Sequence, residues 1–345
     1  MAEIEVIDCG PATTIQDAGR YGLQRYGVGP AGAMDRDALT LANLLVGNDP
    51  DEAAIEFAGL GGRFKVREGE IRIALAGADS TLTVEGEAVA PQTSVTLRAG
   101  DAFSVGPARQ GVYAMLAIAG GLAVEPMLGS RSLHRRAAIG GLDGKPLQAG
   151  AILPLRLDAP AGDDLTLPDP PEAARGPIRV LCGPQDDHFT QAGLATFFDS
   201  TYTLSRQADR MGYRLNGPVI EHADGFNIIS DGIVTGAIQV PGSGEPIVLM
   251  ADRQTTGGYP KIATIISADL ARFAQLRPGD TVRFQAVSQD EAVAAAREAA
   301  QRRAGLHERL IPAGSLDLTS ERLLALNLVG GMVDARADFF EEETA

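Results

Sequence analysis

Residues 71–105 read IRIALAGADSTLTVEGEAVAPQTSVTLRAGDAFSV, and this stretch decides the fold class. Apolar runs of strand length, such as Ile71–Ala76 and Ser94–Leu97, alternate in it with turn signals such as Glu85-Gly86-Glu87 and Ala99-Gly100-Asp101. β-Branched residues favour extended backbone, and Gly and Asp at short intervals favour tight turns. The stretch therefore predicts consecutive antiparallel strands.

Runs of the same kind recur over most of the chain, with turn signals about every eight to twelve residues. Outside the quoted stretch they are Phe64–Val66, Tyr113–Ala119, Ile178–Cys182, Thr201–Leu204, Asn227–Ile229, Ala237–Val240, Ile247–Met250, Ile262–Ile266 and Thr281–Val287. Such spacing is typical of a β-barrel or β-sandwich, whereas a doubly wound α/β sheet would need a helix after each strand. The predicted fold class is mainly β with a few helices.

Helical signals are few and lie between or after the strand runs. The clearest helix begins at Ser288, where Glu291 completes a capping box ahead of an Ala-rich stretch. The predicted helices are Asp35–Val46, Asp187–Phe198, Ser267–Leu276, Ser288–Gly305 and Thr319–Val329.

The composition changes between Leu157 and Gly176, where Asp, Pro, Ala and Gly cluster as in an extended linker. This change divides the chain into two β-rich parts. The predicted organisation is an N-terminal β-rich lobe (1–157), a Pro/Asp-rich linker (158–176), a C-terminal β-barrel lobe (177–288), and a helical extension with an acidic tail (289–345).

Composition also excludes several classes of partner. The net charge of −15 repels polyanions, so no nucleic acid partner is expected. The N-terminus has acids where a signal peptide would be basic, and the longest uncharged apolar stretch, Gly111–Val124, is too short to span a bilayer. The sequence therefore predicts a soluble cytoplasmic protein with no membrane partner, in which Cys9 and Cys182 stay reduced.

Several catalytic signatures are missing from the sequence. The three lysines, Lys65, Lys145 and Lys261, lie in neither a biotin-acceptor setting nor a P-loop. The four histidines are scattered, so no metal site is expected, and no GxSxG nucleophile motif occurs. Gly27–Gly32 matches GxGxxG, but no βαβ unit surrounds it, so a Gly/Pro turn is the favoured interpretation.

The segment DRQTTGGYP, residues 252–260, lies between the apolar runs Pro246–Ala251 and Ile262–Ile266. Gly257-Gly258 gives the backbone freedom to turn, and Pro260 ends the turn. A connection needs only turn residues, yet this one also carries Asp252, Arg253, Gln254, Thr255, Thr256 and Tyr259. Because loops held by a rigid sheet often carry binding sites, the segment is the first candidate site. A solvated hairpin loop is the alternative.

A second polar cluster lies at residues 208–215. Arg210 in it can clamp a carboxylate or phosphate through charge-assisted hydrogen bonds, and Tyr213 lies close to it in sequence. Asp231 and Gln239 add a carboxylate and an amide in apolar surroundings, where buried polar groups need partners. A surface turn in which Asp209 pairs with a neighbouring arginine is the alternative.

Taken together, these segments resemble the family of the bacterial 5-oxoprolinase C subunit, which is also described as allophanate hydrolase subunit 2 or biotin-dependent carboxyltransferase and includes KipA-like regulators. The resemblance covers roughly residues 5 to 288. The matching motifs are TTIQDAGR (13–20), GVGPAGAMDR (27–36), LANLLVGN (41–48), GPQ (183–185), DRMGYRL (209–215), SDG (230–232), IQVP (238–241) and segment 252–260.

The resemblance implies a fold of two cyclophilin-like β-barrel lobes. It also implies the function of the C subunit in an ATP-dependent 5-oxoprolinase, a hydrolase that opens 5-oxoproline to L-glutamate. The implied partners are the A subunit of that enzyme together with its KipI-like B subunit. ATP with Mg is the implied co-substrate, and no biotin is expected on this chain.

Residue chemistry suggests roles within that reaction. Arg210 or Arg253 binds a substrate carboxylate or phosphate, and Asp231 or Asp252 accepts or relays a proton. Tyr213, Gln239, Gln254, Thr255, Thr256 and Tyr259 contact the lactam. Two alternatives stay open: a carboxyltransferase that acts on urea-type amides with a separate biotin carrier, and a non-catalytic partner of a KipI-like kinase inhibitor.

Overall fold

The computed structural model describes residues 1–170 and 174–315. Strand is about twice as abundant as helix, 35% against 17%, so the predicted mainly β class is confirmed. The predicted helix at 319–329 and the acidic tail lie outside the described residues, as does part of the predicted linker. The predicted domain boundaries stay a prediction.

The first lobe is built from two antiparallel sheets. Its strands are β1 (Glu3–Cys9), β2 (Thr14–Gln16), β3 (Ala54–Ala58), β4 (Gly62–Glu68), β5 (Glu70–Asp79), β6 (Leu82–Val84), β7 (Glu87–Ala88), β8 (Ser94–Arg98), β9 (Ala102–Val105), β10 (Gln110–Ile118) and β11 (Ile152–Pro154). One sheet has the order β11-β1-β4-β9-β6-β7 and the other β2-β3-β10-β5-β8.

The core of the first lobe lies between these sheets. Phe64 on β4 stacks on Phe103 at a ring-centroid distance of 5.1 Å and meets the edge of Phe57, on the opposite sheet, at 5.9 Å. All three rings are buried. Burial of an aromatic side chain of this size stabilises the fold by about 1.5–3 kcal/mol. The contact between Phe64 and Phe57 joins the two sheets.

The second lobe is a nearly closed barrel. β12 (Leu165–Thr166) precedes it, and its strands are β13 (Ile178–Cys182), β14 (Tyr202–Ala208), β15 (Gly212–Asn216), β16 (Asp231–Gly232), β17 (Ala237–Gln239), β18 (Ile247–Leu249), β19 (Thr256–Gly257), β20 (Lys261–Ile265), β21 (Thr281–Val282) and β22 (Phe284–Ala286). The main sheet has eight strands in the order β21-β14-β15-β18-β17-β20-β13-β22. Its two edge strands, β21 and β22, are separated by Arg283 alone, so its two edges come close together.

Four helices surround the sheets within the described residues: α1 (Arg36–Leu45), α2 (Gln191–Asp199), α3 (Leu270–Ala274) and α4 (Gln289–Ala304). α1 and α4 match their predictions because each has a local start signal. The Asp35 carboxylate accepts from the Ala38 N–H at 2.9 Å, and Ser288 with Glu291 forms the capping box. α2 and α3 are shorter than predicted because each is preceded by a separate 3-10 turn. β23 (Ile311–Pro312) follows α4 and pairs with β12.

The lobes meet at Gln275, which follows α3. Its Oε1 accepts from the backbone N–H groups of Val112 and Tyr113 at 2.7 and 3.0 Å. Its Nε2 donates to Asp35 Oδ2 at 2.6 Å and to the Tyr113 carbonyl at 2.8 Å. One amide of the second lobe therefore ties together β10 and the start of α1 in the first.

Burial of Asp35 at this contact makes the free energy of unfolding depend on pH. Burial raises the pKa of Asp35 to about 6 from an ordinary 3.8, although the hydrogen bonds from Gln275 and Ala38 oppose the rise. The folded state then binds the proton more tightly than the unfolded state. We expect the free energy of unfolding to fall by roughly 3 kcal/mol as the pH rises from 4 through 6, and to level off above.

Urea unfolding at pH 4, 5, 6 and 7 measures this slope. Asp35→Asn keeps an acceptor at the cap and should flatten it, whereas the exposed control Asp49→Asn should leave it unchanged. An equal slope in Asp35→Asn and the wild type would contradict the assignment.

Candidate functional site

Segment 252–260 is not a hairpin loop. It joins β18 to β20, but β17 lies between those strands in the barrel sheet, so the segment must pass over the end of β17. On the way, β19 pairs with β16, with Asp231 opposite Gly257 and Gly232 opposite Thr256. The hairpin alternative is therefore wrong, and the two ends of the segment face different surroundings.

The first end closes an ion-pair triad between the lobes. Arg210 Nε and Nη2 donate to Asp252 Oδ2 and Oδ1 at 3.0 and 2.9 Å. Nη1 donates to Glu56 on β3, and Nη2 also donates to the Gly32 carbonyl at 2.7 Å. The second carboxylate oxygen of Glu56 accepts from the Met34 N–H at 2.7 Å. A cation of the second lobe is thus held by both lobes.

Water is nearly excluded from this triad. The side chains of Arg210, Glu56 and Asp252 are 12%, 0% and 5% exposed. Burial raises the pKa of Glu56 while Arg210 opposes the rise. Burial acts to lower the pKa of Arg210, but the two carboxylates outweigh it and the pKa is raised. Four of the five guanidinium donors are engaged by the protein, so Arg210 has little capacity left for a substrate.

A cleft of about 670 Å³ opens beside the triad, between the lobes. Its walls are Ala12, Ala58, Val112, Tyr113, Arg135, Arg136, Ala208, Asp209, Arg210, Met211 and Asp252. The three arginines in it are balanced by Asp209, Asp252 and the adjacent Glu56. The cleft therefore has no net charge that would select an anion.

The second end of the segment leads into Lys261. Its Nζ lies 2.8 Å from Asp231 Oδ2, and its side chain is 5% exposed against 53% for Asp231. Gln185 joins the pair, since its Nε2 donates to Asp231 Oδ2 at 3.3 Å and its Oε1 accepts from the Lys261 backbone N–H at 3.2 Å. The hydrogen bond from Lys261, with those from Gly232 and Gln185, lowers the pKa of Asp231. A sheltered ammonium therefore lies beneath a carboxylate that solvent can reach.

Gln185 and Asp231 line a second cleft, of about 580 Å³, which we call the Lys261 cleft because the ammonium of Lys261 lies directly behind its Asp231 wall. It is lined by Gln185, His188, Asn227, Ile228, Ile229, Ser230 and Asp231. His188 Nδ1 is buried there and has no hydrogen-bond partner among residues 1–170 and 174–315. An ammonium and an amide N–H can stabilise an oxygen that gains negative charge, and a carboxylate or imidazole can take up a proton. This arrangement suits attack on an amide carbonyl.

Gln239 and the remaining predicted residues of the segment either stabilise it or lie at its surface. Gln239 is buried, and its Nε2 donates to the Tyr259 carbonyl at 3.2 Å. Gly257 fits against that amide because a Cβ would lie 2.6 Å from Gln239 Nε2. Gln254, Thr256 and Tyr259 are exposed and Thr255 is half-buried. Gln239 thus stabilises the segment, while the exposed side chains are free to meet a ligand.

Tyr213 lies in the core of the second lobe. It is 2% exposed, its hydroxyl donates to the Ala274 carbonyl at 2.7 Å, and its ring packs against Phe273 at 5.5 Å. The contact with substrate expected from the sequence is corrected accordingly, because the side chain has no surface left for a ligand.

Sequence reasoning missed Lys261, Gln185, His188 and Glu56 as site residues. Glu56 carried a signal, since it is a single acid between Ile55 and Phe57 in an apolar run. Lys261 carried one as well, because it is a lone lysine directly after the candidate segment. Within the described residues, no three His, Cys, Asp or Glu side chains are grouped to hold a metal ion.

Comparison with known proteins gives a consistent result. Residues 26–286 match the family model of the carboxyltransferase domain, subdomain A and B. The chain is 38% identical to the 5-oxoprolinase C subunit of Haemophilus influenzae over 289 residues, 84% of this chain and 93% of that protein. It is 38% identical to the 5-oxoprolinase C subunit of Escherichia coli over 293 residues, 85% and 94% of the two chains.

Among solved structures, the Kluyveromyces lactis urea amidolyase superposes with a TM-score of 0.83 at 29% identity. The match covers 90% of this chain and 21% of that one, so the chain spans about a fifth of that larger protein.

Replacement of Arg210 tests the triad. Arg210→Met leaves Glu56 and Asp252 buried without a cation, so we expect a loss of about 3–5 kcal/mol in the free energy of unfolding. The triple variant Glu56→Gln/Asp252→Asn/Arg210→Met removes all three charges and should recover most of that loss. Urea unfolding of both, with the exposed Arg214→Met as control, measures the effect. If Arg210→Met lowers the free energy of unfolding by less than about 1 kcal/mol, the triad as described is contradicted.

Replacement of Lys261 tests the second cluster. Lys261→Met removes the strongest donor to Asp231, so we expect the pKa of Asp231 to rise toward its ordinary value. A carboxyl ¹³C chemical-shift titration between pH 2 and 7 measures this, with Lys65→Met as an exposed control. An unchanged titration of Asp231 in Lys261→Met would show that the pair does not form in solution.

Proposed function

We propose that this chain, which belongs to the carboxyltransferase-domain family that includes the 5-oxoprolinase C subunit, performs that role in a 5-oxoprolinase. The observation that carries the proposal is the extent of the similarity. It spans nearly the full length of two 5-oxoprolinase C subunits, but only a fifth of a urea amidolyase. The chain is thus a component of an enzyme, and its reaction is the opening of 5-oxoproline to L-glutamate.

The Lys261 cleft supplies groups that this reaction needs. Opening the ring adds the oxygen of water to the lactam carbonyl carbon, breaks the C–N bond and places a proton on the leaving nitrogen. The ammonium of Lys261 and the amide of Gln185 would stabilise the carbonyl oxygen as it gains negative charge. Asp231, whose pKa is lowered, stays ionised and can accept a proton from water, and His188 is placed to carry one.

ATP drives the reaction in the assembled enzyme that we propose. The Lys261 cleft does not fit a triphosphate, because the single ammonium there is already neutralised by Asp231. We therefore derive no nucleotide step from this chain and assign ATP, with its Mg²⁺, to the complex with the A and B subunits. The open mouth of the cleft favours a site that the B subunit completes.

We also propose a location for the protein. No helix in the described residues is long and apolar enough to cross a bilayer. The cytoplasm is the location that we propose, because ATP and the product glutamate are both found there.

A second candidate is carboxyl transfer to urea or a related amide. The observation that favours it is the superposition on a urea amidolyase. This chain would then need a separate biotinylated carrier, since its lysines include no biotin-acceptor motif. Both reactions act on an amide-type carbonyl, so the same Lys261 cleft would serve either.

Reconstitution tests the choice between these functions. The chain is co-expressed with the A and B subunits, and ATP-dependent release of glutamate from 5-oxoproline is measured. We expect turnover, and we expect Lys261→Met and Asp231→Asn to lower kcat by roughly 10²-fold or more with assembly intact. Lys65→Met should retain full activity.

Three results would count against the proposal. A fully assembled complex that releases no glutamate would contradict it, and carboxylation of urea by added carboxybiotin carrier would establish the second candidate. Full activity of Lys261→Met would place the chemistry elsewhere, as expected for a purely regulatory partner.

A further inference from the structure

Arg253 carries a buried positive charge that no carboxylate of the described chain neutralises. It is 3% exposed, and its partners are neutral: Nε donates to the Ile233 carbonyl at 3.3 Å and Nη1 to Thr235 Oγ1 at 2.7 Å. Burial lowers the pKa of Arg253 to about 10. Arg210, by contrast, holds two carboxylates, and Arg179 holds Asp269. The charge of Arg253 therefore has no paired carboxylate among the described residues.

The third nitrogen of Arg253 is available. Nη2 has no hydrogen-bond acceptor in the part of the chain that the structure describes, yet it is not among the buried atoms without partners, so it still touches solvent. This distinguishes it from Arg20 Nη1, which is sealed. A donor that is free and accessible at the end of a buried cation is the feature that an anion would use.

The groups placed near the Arg253 guanidinium are an amide and a phenol of the first lobe. Gln24 from the first lobe donates its Nε2 to the same Ile233 carbonyl at 2.9 Å, so its amide lies beside the guanidinium. Tyr21 lies three residues before Gln24, and its phenol is close enough to Arg253 to act on the pKa of the guanidinium, which it raises. Although the protein has a net charge of −15, no Asp or Glu of the described residues forms an ion pair with Arg253.

Energetics favours a ligand over a structural role. A buried charge without a counter-ion destabilises the fold by several kcal/mol, and a methionine of similar volume would fill the space without that penalty. The Ile233 carbonyl would still be satisfied by Gln24. An arginine that destabilises the ligand-free protein is best explained by an anionic ligand that supplies the missing counter-charge.

We propose that Arg253, with Gln24 and Tyr21, binds the carboxylate of the substrate and so selects a carboxylate-bearing lactam over a neutral amide such as urea. This rests on the proposed function. The position is suitable because Asp231, which pairs with Lys261, lies two residues before Ile233, whose carbonyl accepts from Arg253, and an extended chain spans about 7 Å over two residues. One small molecule can therefore place its carbonyl at Lys261 and its carboxylate toward Arg253.

The experiment compares three ligands and four proteins. The assembled complex is prepared as wild type, Arg253→Met, Arg253→Lys and the exposed control Arg214→Met. Calorimetric titration measures the Kd of 5-oxoproline, of 2-pyrrolidinone, which is the same ring without the carboxylate, and of inorganic phosphate. The Tm of each ligand-free complex and the KM and kcat for 5-oxoproline are measured in parallel.

We expect Arg253→Met to raise the Kd and KM for 5-oxoproline on the order of 10- to 100-fold, which corresponds to about 1.4 to 2.8 kcal/mol. Arg253→Lys should show a smaller loss because it keeps the charge and loses the fork of donors. The Kd of 2-pyrrolidinone should be the same in all four proteins. The Tm of ligand-free Arg253→Met should equal or exceed that of the wild type.

Several outcomes would overturn the subsite. They are an unchanged Kd for 5-oxoproline in Arg253→Met, an equal loss of affinity for 2-pyrrolidinone together with a lower Tm, or phosphate binding at Arg253 tighter than that of 5-oxoproline. The proposed function fails separately: a wild-type complex that binds 5-oxoproline through Arg253 but releases no glutamate keeps the subsite and loses the reaction. If the KM and kcat for 5-oxoproline are the same in Arg253→Met as in the wild type, the proposed reaction stands and the subsite is refuted.

Discussion

The guanidinium of Arg210, held between Glu56 of the first lobe and Asp252 of the second, is the contact on which the arrangement of the site depends. Asp252 begins the segment that crosses the barrel, so its position fixes where that segment starts. Because the charges are buried and closely paired, a small rotation of one lobe against the other would leave a charge without its partner. The triad adds little net stability over an apolar contact, yet it specifies one docking of the lobes.

Three cations of the second lobe are sheltered from solvent, and their partners differ. Arg210 has two carboxylates and is saturated. Lys261 has one carboxylate, Asp231, that solvent can reach. Arg253 has neutral acceptors alone within the described residues. The number of paired carboxylates thus decreases from Arg210 through Lys261 to Arg253, and Arg253 is the cation that an anionic substrate would complete.

Much of the fold could be predicted because its signals are local. The turns of residues 71–105, the cap of α1 and the capping box of α4 act within a few residues. β1 was missed because Glu3 and Glu5 alternate with Ile4 and Val6 and dilute its apolar character. Asn227–Ile229, predicted as a strand, forms none, and Ile229 is 94% exposed, since pairing depends on a partner that three residues cannot reveal. The site was harder to predict because its pairs are distant in sequence: Glu56 and Arg210 are 154 positions apart, and Lys261 and Asp231 are 30 apart. Tyr213 shows the opposite error. Its hydroxyl lies in a motif that suggested a site, but the side chain packs in the core of the second lobe.

The position of the bound lactam tests the central claim most directly. A structure of the assembled complex with 5-oxoproline and without ATP would locate it. We expect the lactam oxygen within about 3 Å of Lys261 Nζ, on the Asp231 side of the segment. A lactam bound instead in the cleft between the lobes, beside Arg210, would contradict this assignment and make the triad the substrate site.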